Sequence, residues 1–181
     1  MAANSFASIT PHDSYSSSIG VLGCKIDTNR VSHDGRSVNL LKIDSSGSAH
    51  DISYDAWNYL VSGRPASEDP QKGGGIVMNY EYVHASKCQD LLEDGKPPLS
   101  AANSMNYLAG CLGEPQSWVA SNFVLYNIND PVCKYGVNEK CHLNLAISNH
   151  AECPSGLGST SKLNLNVKNI IYGSGKSVTA P

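Results

Sequence analysis

The stretch that most constrains the fold of this chain is residues 38–60, where an apolar run leads through a tight turn into a helix-like segment. The run at 38–43 is long enough for one β-strand. Residues 45–48, Ser-Ser-Gly-Ser, favour a tight turn because small residues suit that backbone. After the turn, apolar side chains recur at the spacing of a helix: Ile52, Ala56, Trp57 and Leu60. The sequence therefore predicts a strand, a turn and a short helix in this order.

Two carboxylates and a helix-start signal mark this unit. Asp44 ends the predicted strand, and Asp51 follows the turn. Ser53 stands where the N-cap residue of the helix would be, and Asp55 falls in the first turn, where the helix dipole favours negative charge. We therefore expect the helix to begin directly after Ser53.

This order of features resembles the middle of a barwin-like double-psi β-barrel, the fold of barwin, expansins, RlpA-like proteins and one family of fungal endoglucanases. In those barrels an Asp-Leu-Ser-like tripeptide precedes a short helix that contains an alanine and an aromatic residue. Residues 51–53 (Asp-Ile-Ser) and 56–57 (Ala-Trp) match that pattern. Residues 76–83, which end near Cys88, resemble the last strand and the closing cysteine of the barrel. The resemblance covers residues 18–88 and is to secreted proteins of the fungal type.

The resemblance implies a mainly β fold with a six-stranded double-psi β-barrel-like N-terminal part. One strand of the usual barrel is short or missing, because a few polar residues at 30–36 replace a longer segment that carries a cysteine. We expect a flexible N-terminal segment at 1–17, the barrel-like domain at 18–88, and an extension at 89–181 that packs on the barrel. Within the barrel-like part, residues 20–26 are expected to form the first strand.

The extension combines helix-like and strand-like patterns. Residues 100–112 and 115–122 have the caps and apolar spacing of short helices, and a glycine- and proline-rich stretch at 63–75 predicts a flexible loop before them. Apolar residues alternate with polar ones at 143–147 and at 163–167, which is typical of strands. The extension is therefore predicted to be a helical linker followed by a β-rich part pinned by disulfides.

The cysteines favour an oxidising compartment. An even number of cysteines at long spacings is typical of a disulfide framework, although the sequence does not choose the pairing. The alternative is a set of reduced, buried thiols in a cytosolic chain. Residues 1–18 have neither the charged nor the apolar region of a signal peptide, so we expect a secreted protein whose signal is absent from this chain. The predicted disulfide cysteines are Cys24, Cys88, Cys111, Cys133, Cys141 and Cys153.

Composition argues against several classes of partner. The formal net charge of −3 offers no basic surface for nucleic acid. No apolar run approaches the roughly 20 residues that a membrane-spanning helix needs. No Cys-x-x-Cys pair is present, and the histidines lack the spacing of metal ligands, so we expect no metal and no cofactor. The expected protein is a monomer.

Asp44 and Asp51 are the candidate chemical groups. Glycoside hydrolysis uses a pair of carboxyl groups, one as the acid and one ionised. The resemblance implies that Asp51 lies in the ligand groove and that Asp44 matches the aspartate before it. The alternative is structural, since Asp51 could cap the helix and Asp44 could bond the turn amides.

Aromatic side chains near Asp51 are the candidate ligand contacts, since flat rings stack on sugars. For Trp57 the alternative of a core position is the stronger one, because a tryptophan buries a large area. The predicted ligand-binding residues are His50, Tyr54, Trp57, Tyr80 and Tyr82.

Three functions remain open from the sequence. The first is a non-hydrolytic, cell-wall polysaccharide-binding protein similar to expansins and barwin-like proteins. The second is a glycoside hydrolase or lytic transglycosylase built on the same barrel. The third is a secreted effector or interaction protein that binds another extracellular protein. The shortened segment at 30–36 weighs against the enzyme, because the endoglucanase pair needs an acid in that early region.

Overall fold

A computed structural model describes residues 5–12, 14–15, 20–26, 36–43, 49–102 and 104–181. The chain divides into two compact units. Unit 1 consists of Met1–Tyr15, Asn29–Cys88 and Lys168–Pro181, and unit 2 consists of Ser16–Thr28 and Gln89–Val167. Each unit is therefore assembled from segments that are distant in sequence.

Unit 1 is built on a three-stranded sheet in the order β2-β1-β3. The central strand β1 pairs in parallel with β2 and antiparallel with β3. A separate antiparallel hairpin is formed by β7 and β8. The elements of unit 1 are β1 (Ser5–His12), β2 (His50–Ser53), α1 (Tyr54–Ser62), β3 (Ile76–Tyr80), β7 (Lys168–Ile170) and β8 (Ser177–Thr179).

Helix α1 begins and ends where local sequence signals place it. The Ser53 side chain accepts a hydrogen bond from the Ala56 amide at 3.4 Å, and Asp55 lies in the first turn. Gly63 ends the helix at φ +80°, a left-handed conformation that suits a residue without a Cβ. The predicted helix start is confirmed.

The core of unit 1 lies between the sheet and α1. Ile9, Tyr54, Trp57 and Ala66 are buried together there. Partly buried side chains from the three strands of the sheet, from α1 and from β7 pack against them: Ala7, Ile52, Val61, Met78 and Ile170. Because Ile9, Ile52 and Met78 contact this cluster, they mark the core face of the sheet.

Unit 2 is built on a second three-stranded sheet in the order β4-β5-β6. Strand β5 pairs in parallel with β4 and antiparallel with β6, and the register of the second pair shifts between Tyr126 and Ile128. The elements are a 3₁₀ turn (Gly23–Lys25), β4 (Pro98–Ser100), α2 (Asn106–Leu112), α3 (Trp118–Ser121), β5 (Val124–Ile128) and β6 (Gly136–Cys141). A further 3₁₀ segment spans Ala85–Leu91.

Two disulfides are formed, and both lie in unit 2. Cys24 pairs with Cys133, and Cys141 pairs with Cys153. Cys88 and Cys111, which complete the six cysteines and lie within the described residues, are free thiols. The prediction of disulfides is therefore confirmed for four cysteines and is wrong for Cys88 and Cys111. Burial of Cys88 raises the pKa of its thiol, which disfavours the reactive thiolate.

The described residues do not form a closed barrel. Their eight strands form three small sheets and, with three α-helices, give a mixed α/β fold rather than the mainly β barrel expected. Residues 38–43 are not a strand: they pair with none of β1, β2 and β3, and Leu40 is 43% exposed. Residues 20–26, expected as the first strand, contain isolated bridges around a 3₁₀ turn. Most of the shortened segment at 30–36 lies outside the described residues.

The N-terminal segment also differs from the expectation of flexibility. Residues 5–12 are the central strand β1, with partners on both sides. Its sequence alternates between small, polar and apolar residues without a clear strand period, so its order comes from backbone pairing and from the burial of Ile9.

Candidate functional site

The predicted site residues lie in unit 1 and separate into three groups. His50, Tyr80 and Tyr82 form a row of rings at the surface. Asp51 projects from the opposite face of β2, and Tyr54 and Trp57 are in the core. Asp44 lies outside the described residues. The sequence analysis expected a groove that places some of these aromatic residues beside Asp51, whereas in the described residues Asp51 and the row of rings lie on opposite faces of β2.

The row of rings, here called the aromatic strip, consists of His50, Tyr80 and Tyr82. The ring centroids of His50 and Tyr80 are 4.6 Å apart, and those of Tyr80 and Tyr82 are 5.9 Å apart. Both pairs have edge-to-face geometry, which aromatic rings prefer over direct face-to-face stacking. Tyr82 is 73% exposed. The strip thus leads from the margin of the sheet's core face out to a ring that is open to solvent.

The strip has a backbone explanation. His50 is the first residue of β2 and lies beside Ile9 of β1, on the core face. Tyr80 is the last residue of β3 and shares that face with Met78 two residues earlier. The strip therefore continues the apolar face of the sheet beyond the part that α1 covers.

Asp51 belongs to the other face of the sheet. Successive residues of a strand point to opposite faces, so the Asp51 carboxylate points away from the face on which His50 and Ile52 lie. Its neighbour on β1 is Thr10. Asp51 is exposed, and its carboxylate has no hydrogen-bond or ion-pair partner among the described residues. The helix cap that was the structural alternative for Asp51 is supplied by Ser53 instead.

Tyr54 and Trp57 are buried and do not belong to the candidate surface. Each is 1% exposed, which leaves no ring face for a ligand. The Tyr54 hydroxyl donates a hydrogen bond to the Gln71 carbonyl at 2.6 Å, and burial raises the pKa of this phenol. The alternative of a core position for Trp57 is therefore the one that its burial supports.

Asn58 is a structural centre that the sequence analysis did not identify. Its side chain is fully buried, and its amide nitrogen donates to Ser62 Oγ, the Arg64 carbonyl and the Asp69 carbonyl at 3.3, 3.0 and 3.0 Å. Its amide oxygen accepts from the Gln71 backbone at 2.7 Å. These bonds hold Arg64, Asp69 and Gln71 in the stretch at 63–75, which was expected to be flexible. The sequence signal for this role of Asn58 was the presence of a polar residue on the apolar side of a helix.

A shallow cleft lies beside the fixed loop. It has a volume of about 310 Å³. The Tyr172 hydroxyl donates to the Gly73 carbonyl at 2.7 Å and accepts from the Gly73 amide at 2.6 Å, which ties the C-terminal hairpin to the loop. The lining residues are Thr10, Pro11, Gly73, Gly74 and Tyr172. The Tyr172 hydroxyl, which lines the cleft, is thus engaged with the loop and not free to bind a ligand.

Unit 2 contains a compact charged network. Lys25 is buried, with Nζ 2.8 Å from Glu93 Oε2 and 4.8 Å from the centre of the Tyr126 ring. The Tyr126 hydroxyl donates to Asp94, which also pairs with Lys140 at 3.2 Å. The hydrogen bond from Tyr126 holds the pKa of Asp94 below its usual value, with Lys140 adding to the effect. Desolvation raises the pKa of Tyr126. Since the charges satisfy one another, the network is structural.

Among the described residues, no group of three or more His, Cys, Asp or Glu side chains is placed to hold a metal ion. None of the helices formed by these residues is long and apolar enough to cross a membrane.

Comparison with known proteins identifies no relative. No protein-family model matches the chain, and neither a curated protein nor a solved structure is found to be similar to it. The barwin-like resemblance thus remains a prediction that rests on the motifs at 51–57 and 76–88.

Proposed function

We propose that this protein is a secreted, non-hydrolytic polysaccharide-binding protein that holds its ligand on the aromatic strip. The observation that carries the proposal is the exposure of Tyr82 next to the rings of Tyr80 and His50. A barwin-like family origin, with cell-wall glycan as the ligand, is part of the proposal.

The chemistry of sugar rings fits such a surface. A pyranose presents apolar C–H groups on its faces and hydroxyls around its edge. Tyrosine presents an apolar ring with a polar tip, and such side chains are common where a contact is partly apolar and partly wet. The imidazole nitrogens of His50 add hydrogen-bonding capacity to the strip.

The position of Asp51 supports binding rather than hydrolysis. Hydrolysis requires two carboxyl groups that flank one glycosidic bond, at roughly 5–10 Å from each other. The Asp51 side chain points away from the face of β2 on which His50 lies, so it does not reach a sugar that is held by the strip. The two disulfides support an extracellular location, because such bonds persist in oxidising compartments.

A pull-down against cellulose, chitin, peptidoglycan and polygalacturonate tests the proposal. We expect retention on at least one polymer without release of reducing sugar. Tyr82→Ala should weaken binding by about twofold to tenfold, which corresponds to one aromatic contact. Tyr135→Ala, which removes a tyrosine that is 41% exposed in unit 2, is the matched control and should bind normally.

Asp51→Asn provides a second comparison. It should also bind normally, because its side chain lies on the opposite face. Retention on none of the polymers would refute the proposal and leave the interaction protein as the better hypothesis. Sugar release that Asp51→Asn abolishes would favour the hydrolase.

A further inference from the structure

Lys42 lies against the exposed end of the aromatic strip. Its Nζ atom is 5.7 Å from the centre of the Tyr82 ring, within the range of a cation–π contact but near its outer limit. The side chain is exposed. The ammonium group is therefore next to the strip without being fixed by it.

The backbone that leads into Lys42 is held at two points. Arg36 donates a hydrogen bond to the Val61 carbonyl at 3.1 Å. The Cys88 thiol lies 3.5 Å from the Leu40 carbonyl. Lys42 follows two residues after Leu40, so its position relative to Tyr82 is set by the fold of unit 1.

No acidic side chain neutralises Lys42 within the part of the chain that the structure describes. Its only recorded contact there is with the Tyr82 ring. Glu81 lies between Tyr80 and Tyr82 in the sequence and makes no ion pair with Lys42 among the described residues. The Asp51 side chain lies on the opposite face of β2. Among the described residues, the strip thus combines rings with a cation that no carboxylate neutralises.

We propose that the strip selects an acidic glycan, in which a uronate carboxylate pairs with Lys42 while its sugar ring stacks on Tyr82. This inference rests on the proposed function and narrows its ligand class. A neutral glycan would use the rings alone and would gain nothing from the ammonium group. An ammonium–carboxylate pair would add affinity and also orient the chain of sugars along the strip.

The test compares polygalacturonate with the same polymer after methyl esterification, which removes the charge and keeps the sugar backbone. Binding of the full chain is measured by affinity electrophoresis or calorimetry. The esterified polymer should bind about twofold to fivefold more weakly, the range expected for one exposed ion pair. Raising the salt concentration from about 0.01 M to about 1 M should abolish the difference, because the screening length falls from about 30 Å to about 3 Å.

Three variants assign the effect to a residue. Lys42→Gln should bind both polymers equally, at the level of the ester. Lys42→Arg keeps the charge and should restore the preference. Lys168→Gln, which removes an exposed lysine from β7, is the control for net charge and should behave like the unaltered protein.

The outcomes separate this inference from the function on which it rests. Equal, salt-independent binding of the two polymers would overturn the acidic preference and leave glycan binding intact. A preference that survives in Lys42→Gln, or disappears in Lys168→Gln, would also overturn it, because the charge would then act from elsewhere. Failure to bind either polymer or any neutral glycan would overturn both proposals.

Discussion

Asn58 shows how one buried amide can order a long loop. It satisfies three carbonyl or hydroxyl acceptors and one backbone donor inside unit 1. Replacing it leaves the Arg64 and Asp69 carbonyls and the Gln71 amide without these partners. A buried polar group that loses its partner costs more than the bond itself contributed, because it remains desolvated.

We expect Asn58→Ala to lower the free energy of unfolding by about 2–4 kcal/mol. Chemical denaturation followed by tryptophan fluorescence measures this change, since Trp57 is buried in the same unit. Ser62→Ala is the comparison and should cost less, because it removes one of the four bonds to Asn58 and the two exposed hydrogen bonds between Ser62 Oγ and the Arg64 backbone. Similar losses in the two variants would show that the loop does not depend on the Asn58 amide.

At the scale of residues, local signals were enough for α1 but not for the site. Ser53 caps the helix through a bond that its own position in the sequence predicts. The separation of His50 from Asp51 also follows from strand geometry, once both lie on β2. What the sequence could not supply was the pairing of β1 with β2, and hence which face is buried.

Among the elements, the segment at 89–94 is joined to strands β5 and β6 by charges. Tyr126 on β5 donates to Asp94, and Lys140 on β6 pairs with the same carboxylate. The folded state therefore favours the ionised form of Asp94, whose pKa lies below its ordinary value of 3.8. It favours the neutral form of Tyr126, whose pKa is raised above 10.0.

These two shifts predict a loss of stability at each end of the pH range. The contribution of Asp94 is present above about pH 4 and is lost as the pH falls through its lowered folded value. That of Tyr126 is present below about pH 10 and is lost as the pH rises above it, because the unfolded phenol ionises first. Denaturation midpoints measured against pH should show a smaller acid loss in Asp94→Asn and a smaller alkaline loss in Tyr126→Phe. An unchanged acid limb in Asp94→Asn would contradict the assignment.

Alternation of apolar residues did not suffice to predict strands, and it predicted burial in only one of two segments. In residues 163–167 the side chains of Leu163 and Leu165 pack on the core of unit 2, and Asn164 and Asn166 are exposed, which is the burial pattern expected of a strand. The segment nevertheless forms no ladder, because a strand also needs a neighbour with free backbone groups. At 143–147 the same pattern gives a turn, and Ile147 is 74% exposed.

Across the whole molecule, the disulfides stabilise unit 2 to different extents. Cys24 and Cys133 are separated by 109 residues, and Cys141 and Cys153 by 12. Since a longer loop restricts the unfolded chain more, the chain-entropy estimate is about 5 kcal/mol for the first bond and about 3 kcal/mol for the second.

We expect Cys24→Ala with Cys133→Ala to destabilise unit 2 more than Cys141→Ala with Cys153→Ala, measured by denaturation. Mass spectrometry of the alkylated native protein should map the same two bonds. Cys111, which is partly exposed, should be alkylated before the buried Cys88. A disulfide that contains Cys88 or Cys111 would contradict the pairing.

The number of cysteines predicted a disulfide framework, but pairing is a property of three-dimensional proximity. The prediction of a closed barrel over residues 18–88 was wrong for a related reason. Its motifs are local, and closure depends on partners distant in sequence, such as the strand at Ser5–His12 that occupies the centre of the sheet.

Because the hairpin of β7 and β8 is synthesised last, the two units become complete at different points of synthesis. Ile170 and Tyr172 complete the packing around Tyr54 and Gly73, although they follow them by about a hundred residues. Unit 2 has all of its segments once Val167 has left the ribosome, whereas unit 1 lacks part of its interior until Lys168–Pro181 emerges. Until then, the apolar side chains of unit 1 that pack against Ile170 remain partly uncovered on the nascent chain.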